Sequence, residues 1–366
     1  MTVLALDEQA TRSDQADWLE LTLLCRTTRA ISSGDVLRVL GLTEDQPEHG
    51  VTYDPDTGEV LEDEILEPKA ELLLQQLWAE LSYRAQTLGT AYPFEVNPQR
   101  EGFIVRVRSH AGGLTDVADE SAWRSYLACL LITGLRRALI QRTSTQQSAL
   151  VATTQQGPRI LQILSVTAAA HHIDGDAYWF GSPRIDGTTR YREALDRLVT
   201  LLGHGQLKLQ PPAWSTDAEK DGTVDLVAWK SFPDRTYGSL VVYGQVASGK
   251  NWRGKAIQTF IDAFFHDWFE DNPAKYWLPA MFIPFTLHAE ATATGRHTFE
   301  EVVLSKARQD EMSYGAVFDR LRITAANHVD EAVTCTHMPV HRERHGALMS
   351  EVDSWIAQAT THACAD

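Results

Sequence analysis

Apolar positions recur along this chain with periods near 3.6 and 2, and the two rhythms divide it into helices and strands. Between residues 15 and 28, Trp18, Leu21, Leu24 and Cys25 fall on one helical face, and Ser33 suits the cap of a short helix over 34–40. Pro68 fits the first position of a strong helix over 69–88, whose stripe is Leu72, Leu73, Leu77, Leu81 and Leu88. Strands are predicted over 92–96 and 103–107, the second alternating Phe103, Val105 and Val107 against Ile104, Arg106 and Arg108. A helix over 121–141 is apolar on most sides and ends in Arg136 and Arg137, which suit its negative end.

Residues 143–156 are rich in Ser, Thr and Gln and read as a linker, which divides the chain into units 1–145 and 146–366. Beyond it lie an apolar helical run over 160–170 and a loop over 171–183. That loop holds His171, His172, Asp174 and Asp176, an invitation to a metal reading. Against it, adjacent residues point apart on a helix or strand, and a Gly-Asp pair marks a turn. Tyr191, Leu195, Leu198 and Leu202 form the stripe of an amphipathic helix over 189–202, with Glu193 and Asp196 beside the stripe. Apolar runs over 224–229 and 240–246, joined by the turn-rich stretch 231–238, read as a hairpin. An aromatic helix over 252–269 follows, then a strand over 278–287 that contains Pro279 and Pro284. Short helices are predicted from Thr298 to Lys306 and over 350–359. The fold class is therefore α/β, α+β overall: a mixed sheet flanked by helices, preceded by a mainly helical α+β N-terminal unit.

The formal charge of −16 argues against a basic coat spread over a whole nucleic-acid binder, while leaving room for a local basic cleft. Residues 1–150 carry 23 acids against 13 bases, so −10 of the −16 lies there. Much of it falls in an acidic, turn-rich excursion over 44–67, read as solvated with a small hairpin. Four scattered cysteines without C-x-x-C spacing speak against a disulfide framework or structural zinc and for a reducing cytoplasm. The acidic, Gln-rich start does not read as a signal peptide, and the longest apolar stretch, 127–132, is too short to span a bilayer. A soluble cytoplasmic protein without membrane partners is expected.

Three polar residues interrupt the hairpin. Asp225 sits inside the first run, Gln245 inside the second, and Lys250 just beyond it. Burying such groups unpaired is costly, so they suggest a site. Phosphodiester hydrolysis needs a divalent cation and benefits from a nearby positive side chain. Magnesium takes a few carboxylate and carbonyl oxygens and keeps several waters. Glu193, Asp225, the 245–246 backbone and Lys250 are groups of those kinds.

A helix with Glu193, a strand with Asp225, a second strand with Gln245 and a following lysine, then a packed helix and another strand, resembles the PD-(D/E)XK restriction-endonuclease-like superfamily. The likeness covers roughly 189–287 and is nearest to its Mrr-like variants, which carry glutamine in the second acid position. The resemblance implies a Mg²⁺- or Mn²⁺-dependent endonuclease acting on DNA in preference to RNA, in restriction or antiviral defence. It implies Asp225 and Glu193 as metal ligands, with Asp225, Gln245 and Lys250 catalytic. Lys230, Asn251, Arg253 and Lys255 are expected to contact nucleic acid; from Asp225 to Phe260 there are five basic residues against two acids. Trp252 is expected in the core in preference to stacking on a base. The family's lysine stands two residues after the acid or glutamine. Here that place holds Ala247, and Lys250 lies beyond Ser248-Gly249, where a glycine bend can return it to the site. Lys230 is the alternative donor. Two further readings remain: a non-catalytic adaptor on a degenerate nuclease fold, and a phosphate-binding loop. The second rests on Gly244–Lys250, which fits G-x-x-x-x-G-K but ends in Asn251 where a hydroxyl residue is needed. Residues 1–145 are expected to serve recognition of substrate or of a protein partner.

Overall fold

A computed structural model describes residues 11–39, 52–53, 60–61, 67–100, 102–108, 121–140, 147–213, 215, 223–234, 238–249, 251–287, 298–328 and 344–364. The first described element is α1 (Arg12–Cys25), which Thr11 and Asp14 cap reciprocally. Next come β1 (Ala30–Ser32), α2 (Ser33–Val39) and a small antiparallel hairpin, β2 (Thr52–Tyr53) with β3 (Val60–Leu61), inside the acidic excursion. The long helix α3 (Glu67–Leu88) leads to β4 (Phe94–Gln99) and β5 (Gly102–Val107), which make a three-stranded sheet with β1. Then α4 (Arg124–Arg136) and α5 (Gln147–Ile173) form the centre of the molecule. The stripe read on α3 holds for Leu77, Leu81 and Leu88, whereas Leu72 is 54% exposed.

The second half supplies a five-stranded mixed sheet. Its strands are β6 (Asp176–Trp179), β8 (Leu226–Lys230), β9 (Leu240–Val246), β11 (Leu278–Phe282) and β12 (Ala316–Phe318). Their spatial order is β12-β11-β9-β8-β6. β8 runs antiparallel to both β6 and β9, while β9, β11 and β12 are parallel to one another. Parallel neighbours need crossovers, and helices provide them. α7 (Ile261–Trp268) lies between β9 and β11, and α8 (Phe299–Tyr314) between β11 and β12. α6 (Tyr191–Leu202) sits between β6 and β8, and a minor ribbon pairs β7 (Gln206–Leu207) with β10 (Phe269–Asp271). The chain closes with α9 (Arg320–Asn327) and α10 (His345–Cys364).

Strand alternation sends side chains into two cores. Leu226, Ala228, Val242, Ala280 and Phe282 join one large cluster with residues of α1, α3, α4, α5, α9 and α10. Val227, Trp229, Val241 and Tyr243 pack on the other face against α6 and α7. The larger cluster extends from Ala16 to Ala359, so it draws on both sides of the boundary expected near residue 145.

Several expectations are corrected. The polar stretch read as a linker is, from Gln147 onward, the first turns of α5, which continues through Pro158. Thr153 and Thr154 donate their hydroxyls to the carbonyls of Ala149 and Leu150 one turn back, and Thr153 also bonds His362, so their polarity is met within the packed structure. The expected loop at 171–183 is the end of α5 followed by edge strand β6. Its four metal candidates have separate partners: His171 bonds the Ala326 carbonyl, His172 packs edge-on to Phe318, Asp174 pairs with Lys230, and Asp176 enters the sheet. The aromatic helix over 252–269 is two 3-10 turns and the short α7. Cys25 and Cys364 form a disulfide across 339 residues, which sequence spacing could not reveal and which removes that ground for a reducing setting. No helix among the described residues is long and apolar enough to cross a membrane.

Beneath the three-stranded sheet lies a buried ionic network. The Arg320 guanidinium donates to both Asp17 carboxylate oxygens at 2.7 Å, and Arg84 reaches Asp17 at 2.7 Å and Glu80 at 2.8 Å. The Tyr92 and Tyr126 hydroxyls donate to Glu20. Each of these side chains is at most 1% exposed.

Candidate active site

The site is built where β8 begins beside the end of β9. The register pairs Leu226 with Gly244, and its next step sets Asp225 against Gln245. Gly244 is required there, because a Cβ would lie 2.8 Å from Leu226 and 2.9 Å from Phe282. The Asp225 N–H donates to the Gly244 carbonyl at 2.9 Å. Its own carbonyl accepts from three donors: the backbone N–H groups of Phe180 (3.0 Å) and Gly181 (2.7 Å), and the Gln162 side-chain amide (2.7 Å). Its carboxylate Oδ2 accepts the Val246 N–H at 2.7 Å, which ties the two strands at their end. Gly181 passes so close that a Cβ on it would sit 2.9 Å from Asp225 Oδ1.

Gln245 is only 7% exposed, and its buried Oε1 has no hydrogen-bond partner among the described residues. A buried carbonyl oxygen that accepts nothing costs about 1–3 kcal/mol. Two polar side chains opposite each other at a sheet end, one with an unsatisfied acceptor, can together offer a carboxylate oxygen and an amide oxygen to a cation. Among the described residues, no group of three or more His, Cys, Asp and Glu side chains converges to hold a metal.

The other predicted site residues are placed apart from this pair or engaged elsewhere. Glu193 lies on the exposed side of α6, whose buried stripe is Tyr191, Ala194, Leu195, Leu198 and Leu202. Lys230 ends β8 at the opposite end from Asp225 and pairs with Asp174 at 2.6 Å, so it is no substitute for Lys250. Arg253 pairs with Asp310, a residue 3% exposed, at 3.1 Å, and lies 4.2 Å from the Trp252 ring centroid. Trp252 itself is buried against Tyr314. Asn251 and Lys255 are exposed on the turn after β9. Lys250 lies outside the described residues.

The phosphate-loop reading of Gly244–Lys250 is corrected. Such a loop presents its amides at the start of a helix. Here Gly244 is a mid-strand residue of β9, the strand is followed by 3-10 turns, and α7 starts only at Ile261.

Two contributors were missed. Gln162 is one of three polar positions, with Ser165 and Thr167, in the apolar run 160–170, and the only amide among them. Gly181 lies in the bend just past β6, within the stretch expected as a loop, and its approach to Asp225 left no signal in the sequence. A cavity of about 530 Å³, lined by Ser239, Leu240, Tyr276, Trp277 and Leu278, opens where β9 and β11 begin, at the far end of β9 from Gln245, and is not part of this site. Compared with protein-family models, with curated proteins and with solved structures, the chain matches none of them.

Proposed function

We propose that the protein is a metal-dependent nuclease whose centre is Asp225 with Gln245. The observation that carries this reading is the buried, unsatisfied Gln245 Oε1 beside Asp225, a residue held by five hydrogen bonds, one of them to its carboxylate. A second support is the order of the elements. The antiparallel pair β8–β9 carries the two residues, and a helix and a parallel strand follow, as in the restriction-endonuclease-like arrangement that the sequence resembles.

One carboxylate and one amide oxygen suit magnesium or manganese, which bind through one or two carboxylates and retain waters. When bound, such an ion polarises a phosphate and makes a water acidic enough to attack it. The chain's own part is positional. The β8–β9 bonds hold Asp225 and Gln245 on the same strand ends, and the buried sheet beneath excludes movement. Lys250 follows the site in sequence by five residues and would neutralise the developing charge on the phosphate. Glu193, exposed on α6, has a weaker claim to the metal than the sequence implied.

A second reading, a non-catalytic adaptor, is favoured by one observation. Asp225 Oδ2 serves the Val246 N–H, a purely structural use of a carboxylate. Incubation with plasmid DNA, and separately with RNA, in Mg²⁺ or Mn²⁺ separates the two. Nuclease activity predicts cleavage by the wild type that falls to background in Asp225→Asn, and by roughly 100- to 1000-fold in Lys250→Ala. Cleavage that persists in both variants removes the assignment, and a wild type that cuts neither polymer leaves the adaptor.

A further inference from the structure

The carbonyl of Asp225 accepts three hydrogen bonds, one more than its two lone pairs ordinarily serve. Two come from the backbone just past β6, and those alone would continue the sheet. The third comes from Gln162, a residue of α5 that is 7% exposed and sends its amide 2.7 Å to this one oxygen. The carbonyl, already satisfied by the two backbone donors, does not require it, although the buried Gln162 amide does need an acceptor. A buried amide spent on a satisfied acceptor points to a different demand, that of fixing where Asp225 stands. Gly181 works from the other side. Lacking a Cβ, it lets the backbone pass Asp225 so closely that an added Cβ would lie 2.9 Å from Oδ1 and 3.2 Å from Cα. With Oδ2 already held by Val246, rotation of the carboxylate is restricted from both sides.

We propose that Gln162 and Gly181 form a clamp that sets the Asp225 carboxylate against the Gln245 amide, which makes Gln162 a positioning residue of the metal site; this rests on the nuclease reading above. Groups that orient a metal ligand without touching the ion typically change metal affinity when altered, while leaving the fold intact. Gln162→Met keeps the volume and removes the donor. Gly181→Ala adds the Cβ that displaces Oδ1, at a position where the backbone does not demand glycine. Ser165→Ala is the control. Ser165 lies on α5, is fully buried, and bonds only to its own helix at the Leu161 carbonyl, so its loss lowers stability without reaching Asp225.

Mn²⁺ binding by the full chain is measured by calorimetry, with thermal unfolding of each variant alongside. Asp225→Asn is expected to abolish binding. Gln162→Met and Gly181→Ala are each expected to weaken it roughly 10- to 100-fold. Ser165→Ala is expected to keep the wild-type affinity despite a lowered Tm. If Asp225→Asn loses the ion while Gln162→Met and Gly181→Ala bind it as the wild type does, the clamp is overturned and the nuclease reading stands. If the wild type binds no Mn²⁺, or Asp225→Asn binds it unchanged, the reading and the clamp fall together.

Discussion

At the scale of single residues, the two carboxylates of the buried network show how opposing terms decide a proton's place. Burial by itself would raise the pKa of Asp17. The guanidinium groups of Arg320 and Arg84 outweigh it and hold the carboxyl down at about 2, against an ordinary 3.8. In Glu20 the same burial wins: its pKa is raised from 4.5 despite Arg84. The signs for stability follow. Asp17 is depressed in the folded state, so its contribution is complete above the ordinary 3.8 and disappears as pH falls toward about 2. Glu20 is raised, so its contribution is complete below 4.5 and declines as pH rises past that value. Below 3.8 Asp17 therefore sets the slope. Asp17→Asn leaves Arg320 facing a neutral amide and is expected to cost about 3–5 kcal/mol at neutral pH. Urea unfolding across pH 2 to 7 checks both parts. The wild type loses stability steeply on the acid side, and the variant, weaker throughout, loses it less steeply there. Parallel acid limbs in the two proteins would contradict the assignment to Asp17.

At the scale of elements, what could be read from sequence depended on whether polarity and burial agreed. β8 and β9 were legible because each apolar run is bounded by turn residues, and α6 because its stripe has one polar back. Asp225 and Gln245 stood out by the same logic, as polar residues inside runs that should bury. α5 was half lost, because a polar run of Thr, Ser and Gln, whose Thr153 and Thr154 hydroxyls bond within the helix, resembles a linker. α1 was found but misjudged. The stripe of Trp18, Leu21, Leu24 and Cys25 gives no sign of Asp17 and Glu20, because the helix is buried all round from Ala16 to Leu23 and its charges are paired by residues remote in sequence. Glu193 illustrates the same limit in reverse. Spacing places an acid beside a stripe, but only packing decides which neighbour it meets. The junction of α8 and β12 turns on Gly315, whose φ is +71° and whose added Cβ would lie 2.2 Å from the Pro279 carbonyl oxygen. Strain from that backbone and the clash together predict that Gly315→Ala destabilises by about 3 kcal/mol or more, through loss of the β11–β12 register. Denaturant unfolding of the variant tests it, and a change below the error of the method would show that the junction can adapt.

At the scale of the whole molecule, the two ends of the described chain are brought together. Cys25 is the last residue of α1 and Cys364 the last of α10, and their bond closes a loop of 339 residues. α10 is also held by side chains: Trp355 donates to the Thr153 carbonyl of α5, Arg159 pairs with Glu351, and Arg124 pairs with Asp353. The helix therefore stays docked when the disulfide opens, and the bond acts mainly on the unfolded chain. In the chain-entropy description, closing so long a loop contributes about 6 kcal/mol. With an unfolding entropy of about 2.1 cal/mol/K per residue, that corresponds to a Tm change of roughly 5–8 °C in a chain of this size. Two measurements bear on it. Of the four cysteines, two are in the bond, so the denatured, unreduced protein exposes two thiols to a thiol reagent, not four. Dithiothreitol should lower the Tm by that amount, and Cys364→Ser should show the reduced value with or without reductant. A native Tm indifferent to dithiothreitol, with two thiols titrating before reduction, would mean that the unfolded chain is already compact enough for the covalent tie to remove little of its entropy.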